Sequence, residues 1–150
     1  MSKNLYIKNI GKKSKIAALS LSNLSIDKKN SVLKKFSYYL KKNKQSILRE
    51  NKKDLFKAKF KKINNNLIDR LKLDNEKIKK IINLIGKIIK FKDPTGKVLS
   101  SWKRPNGLKI KKISIPIGVI GVIYESRPNV TSDVSALCFK SGNVVILRGG

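Results

Sequence analysis

The sequence contains no histidine and a single cysteine, Cys138. One cysteine excludes an intrachain disulfide, and nothing in the sequence indicates an oxidising compartment. Without histidine the chain has no imidazole that could activate a cysteine nucleophile, and we expect no metal site. The N-terminus lacks the apolar stretch of a signal peptide, so we expect a cytoplasmic protein.

Long hydrophobic runs are missing as well. The apolar run over residues 113–124 is far shorter than the roughly 18 residues that a membrane span requires, so we expect no membrane partner. The G-x-G-x-x-G dinucleotide fingerprint is also absent. Gly118 and Gly121 lie before and within a predicted strand, where we expect them to permit close packing of the backbone.

Acidic residues are scarce, with 9 against 36 basic residues and a formal net charge of +27. Such an excess is a general indication of contact with nucleic acid or an anionic membrane. The positive charge is nearly all lysine, however, and it accompanies abundant asparagine and isoleucine, whose codons are A/T-rich. Nucleic-acid sites more often cluster arginine and aromatic residues. We therefore favour a compositional origin and keep a lysine-rich nucleic-acid-binding module as an alternative.

The clearest pattern lies in residues 113–150. The β-branched apolar run over residues 113–124 predicts a strand that is buried on both faces. Helically spaced apolar residues then lead to Gly142, which predicts the end of a helix, and residues 144–147 form a second short apolar strand. Together they predict a βαβ unit of an α/β fold.

A polar corner follows the first of these strands. Pro128 favours an extended Arg127, and Asn129 or Thr131 is expected to cap the helix. The corner and the Arg148-Gly149-Gly150 segment both follow strands, and ligands bind at the carboxyl ends of strands in open α/β sheets. Two glycines beside an arginine suit a phosphate group.

The first half of the chain predicts helices. Residues 1–11 are weakly patterned and predict a frayed start, a first helix follows from Ser14, and Asp27 is expected to cap a second helix. Asp74 is expected to cap the helix with the clearest apolar face. That face consists of Ile78, Ile81, Ile82, Ile85, Ile88 and Ile89.

Two strands, over residues 98–104 and 108–115, precede the βαβ unit. The Asn106-Gly107 pair between them favours a type I′ hairpin turn, since both residues tolerate positive φ.

The sequence PIGVIGVIYESRPNVT followed by ALCFKSGNVVILRGG resembles the γ-glutamyl phosphate reductase (glutamate-5-semialdehyde dehydrogenase) family of the aldehyde dehydrogenase superfamily. The similarity extends upstream through residues 93–113. It implies an aldehyde-dehydrogenase-like α/β fold, with residues 1–97 as the helical part of the cofactor-binding domain. It also implies that residues 98–115 form a hairpin in the oligomerisation region and that residues 116–150 begin a Rossmann-like core, with further strands beyond residue 150.

The resemblance implies NADPH-dependent reduction of L-glutamate 5-phosphate to L-glutamate 5-semialdehyde and phosphate in proline biosynthesis. It further implies a homo-oligomer, in which Trp102 either contacts another subunit or only covers its own hairpin. Glutamate kinase is a candidate partner. We do not expect a kinase domain fused ahead of the chain, which starts near the reductase's own beginning.

Catalytic residues are not expected within these 150 residues. The family's nucleophilic cysteine is expected beyond residue 150, so we expect the isolated chain to be inert, and an inactive truncated remnant is an alternative. Cys138 lies on the apolar face of a predicted helix and is expected to be a small buried hydrophobe.

The resemblance also implies roles for the polar corner. Arg127 takes the position of the superfamily's oxyanion-stabilising asparagine, which leaves the oxyanion donor open, and Arg127 with Asn129 is expected to bind the substrate. Alternatively, Arg127 only ties the corner to a carboxylate. Arg148 matches a superfamily lysine near the adenosine ribose and suits the 2′-phosphate of NADPH. The expected cofactor-binding residues are Tyr124, Glu125, Ser126, Arg148, Gly149 and Gly150.

Overall fold

A computed structural model describes residues 3–149, which form six helices and four strands. In chain order these are α1 (Lys3–Ser22), α2 (Ile26–Lys42), α3 (Lys44–Phe60), α4 (Asn65–Leu71), α5 (Asn75–Lys90), β1 (Val98–Lys103), β2 (Lys109–Ile113), β3 (Val119–Ile123), α6 (Pro128–Lys140) and β4 (Val144–Arg148). Among the described residues no helix is both long and apolar enough to cross a membrane.

The chain begins with a longer helix than the sequence predicts. Helix α1 already includes residues 3–11, so the predicted frayed start is wrong for them. The reason is tertiary, because α1 packs against β3 and β4 and buries Ser14 and Leu21. Helix α2 is capped by Ser25, whose hydroxyl accepts from the Lys28 N–H at 3.3 Å. Asp27, the predicted cap, lies in the first turn, where its charge favours the helix dipole.

The hydrophobic core lies between α2, α5 and α6. Asp74 caps α5 as predicted, and its carboxylate accepts from the Lys77 N–H at 2.7 Å. Four of the six predicted isoleucines, Ile78, Ile81, Ile85 and Ile88, are buried, and Ile82 and Ile89 are half-buried. The face packs against Leu33 of α2 and Ala136 of α6. Burial of this stripe outweighs the low helix propensity of β-branched residues.

Two buried lysines join the helices around this core. Lys29 of α2 is completely buried, and its ammonium group contacts the Asp93 carboxylate at 3.2 Å and the Thr95 hydroxyl at 3.4 Å. Lys140, in the last turn of α6, donates to the side chain of Asn30 at 2.6 Å and to the carbonyl of Ile89 at 3.0 Å. Burial lowers the pKa of Lys140 despite the nearby Asp93. The helix dipole favours a cation at the C-terminal end of a helix, but it does not explain why Lys140 is buried.

Strands β1 and β2 form an antiparallel hairpin in which Trp102 faces Ile110. The predicted type I′ turn is wrong, because Gly107 has φ +87° whereas Asn106 does not have a positive φ. The Gly107 N–H donates to the Arg104 carbonyl at 2.9 Å. Pro105 favours this ordinary turn, since its ring fixes φ near −65°, and a glycine with positive φ then completes a three-residue loop.

Strands β3 and β4 are parallel and flank α6, as the βαβ prediction requires. Their register pairs Val119 with Val144 and Ile123 with Arg148. Gly142 ends α6 with φ +75°, also as predicted. The mixed helix and strand architecture confirms the α/β fold. The division into ranges 1–97, 98–115 and 116–150 stays a prediction.

Two details of this unit differ from prediction. Helix α6 begins directly at Pro128, with Arg127 extended before it and no side-chain cap. Asn129 and Thr131 therefore lie inside the first turn and cannot cap it. Strand β3 is also not buried on both faces, since Gly121 and Ile123 are exposed, Ile123 to 86%, and its other three residues are only half-buried. The described part of the sheet that contains β3 has two strands, β3 and β4, and α1 and α6 do not cover all of it.

Candidate functional site

The polar corner and the end of β4 lie side by side, as their positions after parallel strands predict. The backbone N–H of Tyr124 donates to the carbonyl of Arg148 at 3.0 Å, which extends the strand pairing to the start of the corner. A further bond of 2.7 Å, from the Arg127 N–H to the Glu125 carbonyl, tightens the turn. The extended Arg127 then leads into α6, so the corner is a short turn held between a strand and a helix.

An open cleft of about 480 Å³ lies against this corner. From the corner and the β4 end it is lined by Tyr124, Glu125, Ser126, Arg127 and Gly149, and from α6 by Pro128 and Thr131. Its other wall comes from α3 and the segment after it. That wall consists of Asp54, Lys57, Ala58, Lys61, Ile63 and Leu71. No motif in the sequence indicates this second wall.

Tyr124 is fixed on both sides. Its hydroxyl and that of Thr131 are 2.6 Å apart and share a hydrogen bond. A Cβ added to Gly149 would lie 3.4 Å from the Tyr124 hydroxyl. This is an ordinary van der Waals distance, so Gly149 packs against the tyrosine ring without its lack of a side chain being required.

The side chains of Glu125 and Arg127 differ in their ion pairing. Arg70 of α4 forms an ion pair with the Glu125 carboxylate at 2.5 Å. Arg127 is exposed and forms no ion pair within residues 3–149. Within this range the carboxylate of the corner, Glu125, is paired with Arg70 and not with Arg127. Both interpretations of Arg127, as a substrate-binding residue and as a residue that ties the corner to a carboxylate, stay predictions.

The remaining predicted residues lie outside the cleft lining. Asn129 faces a neighbouring cleft, where its amide donates to the Asp133 carboxylate at 3.0 Å. Arg148 is exposed at the end of β4, and within the described part of the chain its guanidinium has no ion-pair partner. Gly150 lies outside the described residues.

A buried asparagine positions α4 and its arginine. The side chain of Asn51, in the middle of α3, donates to the Leu71 carbonyl at 2.9 Å and accepts from the Leu73 N–H at 2.8 Å. These two bonds hold the end of α4 against α3 and thereby hold Arg70 near the corner. The only sequence signal was a residue of low helix propensity within a helix.

Cys138 is buried in α6, as predicted, and burial raises the pKa of its thiol. A thiol with a raised pKa is a poor nucleophile. Among residues 3–149 no group of histidine, cysteine, aspartate or glutamate side chains could hold a metal ion.

The chain is similar in sequence and in fold to known proteins. No model of a protein family matches it. The γ-glutamyl phosphate reductase of Clostridium perfringens is 53% identical over 150 residues, which cover 100% of this chain and 36% of that protein. The crystal structure of γ-glutamyl phosphate reductase from Saccharomyces cerevisiae superposes with a TM-score of 0.93 at 34% identity, over 100% of this chain and 38% of that one. The corresponding crystal structure from Thermotoga maritima gives a TM-score of 0.89 at 42% identity, over 93% of this chain and 34% of that one.

The chain thus spans about a third of the length of the proteins that it matches. The similarity nevertheless extends over every element described above, including the corner and both walls of the cleft. By sequence and by fold, the whole chain is similar to one part of the γ-glutamyl phosphate reductases.

Proposed function

We propose that the chain is the part of a γ-glutamyl phosphate reductase that supplies one side of the substrate and cofactor sites. The reaction is the NADPH-dependent reduction of L-glutamate 5-phosphate to L-glutamate 5-semialdehyde, with release of phosphate, in proline biosynthesis. The observation that carries this proposal is the 53% identity over the whole chain to a protein of that name. Cytoplasmic location is part of the same proposal.

Arg127 is the proposed substrate-binding residue of the corner. Its guanidinium is exposed at the cleft and unpaired within residues 3–149, so it is available to an anionic group of the substrate. A guanidinium binds phosphate or carboxylate oxygens with two parallel hydrogen bonds. Asn129 has a secondary role in this proposal, since its amide already contacts Asp133.

The cofactor residues are those at the carboxyl ends of the two parallel strands. A nicotinamide dinucleotide supplies the hydride when bound. The guanidinium of Arg148, exposed and without an ion-pair partner among the described residues, fits the 2′-phosphate that distinguishes NADPH from NADH, since such a group requires a cation. Tyr124, Glu125, Ser126 and Gly149 line the adjoining cleft, and Gly150 completes the proposed set.

The nucleophile is not proposed within this chain. Its single cysteine, Cys138, is buried with a raised pKa, so the chain contributes binding groups and not the reacting thiol. We expect the isolated chain to be catalytically inert for this reason.

The hairpin is the proposed site of homo-oligomerisation. An isolated two-stranded hairpin is only marginally stable in water. The hairpin of β1 and β2 also exposes several large apolar side chains. They are Val98, Leu99, Trp102, Leu108 and Ile113. Pairing with a second copy would bury them. Glutamate kinase, which supplies the substrate, is the proposed functional partner.

A chimera tests the function directly. The chain replaces the matching third of the Clostridium perfringens reductase, and the purified chimera receives L-glutamate 5-semialdehyde, phosphate and NADP⁺. We expect phosphate-dependent formation of NADPH, since the reverse reaction oxidises the aldehyde to the acyl phosphate. The isolated chain, assayed in parallel, should show none. A folded chimera with the oligomeric state of the parent but no such activity would contradict the proposal.

A further inference from the structure

The wall of the cleft opposite the corner is a charged face of α3. Asp54, Lys57 and Lys61 follow one another at spacings of three and four residues, which puts them on the same side of a helix. The Lys61 N–H donates to the Lys57 carbonyl at 3.0 Å, so the helical turn continues through Lys61. Ala58 is buried between them and keeps this face open because its side chain is small.

The cations of this cleft have no partners of their own. The Glu125 carboxylate is neutralised by Arg70. Within residues 3–149, Lys57, Lys61 and Arg127 form no ion pair or side-chain hydrogen bond. By contrast, Lys53 elsewhere on α3 is paired with Glu50 at 2.9 Å. Three cations that are unpaired within this range therefore line one cleft of about 480 Å³. The cleft also has two carboxylates, Glu125, which is paired with Arg70, and Asp54, which is not paired within residues 3–149.

We propose that the Asp54, Lys57 and Lys61 face of α3 recognises the amino-acid phosphate itself, with Asp54 binding its ammonium group and the two lysines binding its anionic groups together with Arg127. This inference rests on the proposed function and adds a specificity-determining wall to it. Three unpaired cations and one unpaired carboxylate complement a ligand that has a phosphate, a carboxylate and an ammonium. A dicarboxylate or free phosphate satisfies only the cations.

The test measures binding to the 150-residue chain, with a pair of probes that differ only in the amine. L-2-amino-5-phosphonopentanoate has an ammonium, a carboxylate and a phosphonate, and 5-phosphonopentanoate lacks the ammonium. Titration calorimetry at an ionic strength of about 0.15 M screens long-range attraction to a highly positive protein. We expect the amino probe to bind about threefold to tenfold more tightly than its counterpart, since it adds one charge-assisted contact.

Single substitutions on α3 then distinguish the roles of the individual side chains. Asp54→Asn should abolish the preference for the amino probe while leaving the affinity for 5-phosphonopentanoate equal or higher. Lys57→Gln and Lys61→Gln should each weaken both probes by about threefold to tenfold. Lys59→Gln is the matched control, because it removes the same charge from the same helix but Lys59 does not line the cleft. All four side chains are exposed, so the fold should be unaffected, and circular dichroism checks this.

Equal effects of Lys59→Gln and Lys57→Gln would overturn the proposal, since binding would then follow net charge alone. Loss of the amino preference in Lys59→Gln would do the same. The same exchanges in the active chimera separate this inference from the proposed function. If the chimera is active but Lys57→Gln raises the KM for phosphate no more than Lys59→Gln does, the reductase function stands and the α3 wall is wrong. If the chimera is inactive while the binding pattern holds, the reaction is wrong and the binding site stands.

Discussion

Two lysines near Asp93, Lys29 and Lys140, are buried. Lys29 is fully buried and Lys140 is 3% exposed, and among residues 3–149 Asp93 is the one acidic residue whose carboxylate contacts Lys29. A buried cation without a partner is costly, because little solvent compensates its charge. The negative charge of Asp93 therefore stabilises the packing of α2, by pairing with Lys29, and the packing of α6, by attracting the nearby Lys140.

Asp93→Asn should lower the free energy of unfolding by about 3 kcal/mol, because removal of one partner leaves a buried charge uncompensated. Asp27→Asn is the control, since Asp27 is exposed and interacts only with the α2 dipole, worth at most about 1 kcal/mol. Urea denaturation measures both changes. Equal losses for the two variants would contradict the role of Asp93.

The same carboxylate predicts a dependence on pH. Burial alone would raise the pKa of Asp93, but hydrogen bonds from Thr95 and Lys29 outweigh it, and the pKa lies below its ordinary value of 3.8. The unfolded chain therefore binds a proton more readily, so the stability contributed by Asp93 is present above about pH 4 and is lost as the pH falls through the lower folded value. The difference in unfolding free energy between the natural chain and Asp93→Asn should shrink below pH 4. A difference that stays constant there would contradict this.

Single-residue predictions from sequence succeeded where the cause is local. Asp74 was recognised as a cap because its side chain bonds to a backbone N–H three residues away. The role of Arg70 was missed because its partner, Glu125, is 55 positions distant along the chain. Such a pair depends on how α4 packs, and no local pattern contains that information.

Among the elements, the βαβ unit shows how turns set strand pairing. Gly142 ends α6 with a positive φ, and a Cβ there would lie 2.9 Å from the Pro116 ring. The Asn143 side chain accepts from the Gly118 N–H at 2.8 Å, which aligns the start of β3 with β4. The end of the helix and the register of the sheet are thus fixed by one short turn.

Gly142→Ala should destabilise the fold by about 1–3 kcal/mol, because a side chain would be strained by the backbone and by Pro116. Gly121→Ala is the matched control within β3, where nothing lies within 4 Å of the added Cβ. We expect it to be neutral or slightly stabilising, since alanine reduces the entropy of the unfolded chain. Thermal unfolding of both variants is the measurement, and similar losses would show that the turn is not critical.

Local signals also explain which elements were predictable. Apolar spacing and glycine positions identified the hairpin and the βαβ unit, because both are encoded within a few residues. The predicted type of hairpin turn was wrong because Pro105 fixes the backbone before Asn106 and Gly107, and this favours a three-residue loop over the type I′ turn. The length of α1 was missed because its stability comes from packing on β3 and β4, which is invisible in a weakly patterned segment.

For the molecule as a whole, charge is the dominant surface property. A net charge of +27 attracts any polyanion, whether or not a dedicated site exists. Within residues 3–149 three unpaired cations line the cleft beside the polar corner, and most of the remaining positive charge lies outside this cleft.

Binding to duplex DNA should therefore be sequence-blind and should weaken steeply with salt, since it comes from counterion release alone. Fluorescence anisotropy with two unrelated duplexes of equal length, measured over a range of salt concentrations, checks this expectation. A clear preference for one sequence would instead support the alternative of a nucleic-acid-binding module.

The fold class and the location of the cleft followed from sequence, but the exposure of β3 did not. Its apolar run resembles a central strand, yet the described residues provide one neighbouring strand and two helices to cover it. Burial is a property of the whole assembly, and a strand pattern alone does not reveal which partners are present.

The most direct test of the central claim is growth without proline. A bacterial strain that requires proline because it lacks γ-glutamyl phosphate reductase receives the chimera of this chain with the remaining two thirds of the Clostridium perfringens enzyme. We predict that the chimera restores growth and that Arg127→Gln within it strongly reduces growth. The chain alone should restore none. A stable chimera that leaves the strain dependent on proline, while the parent enzyme restores growth, would contradict the claim that this chain builds one side of a reductase site.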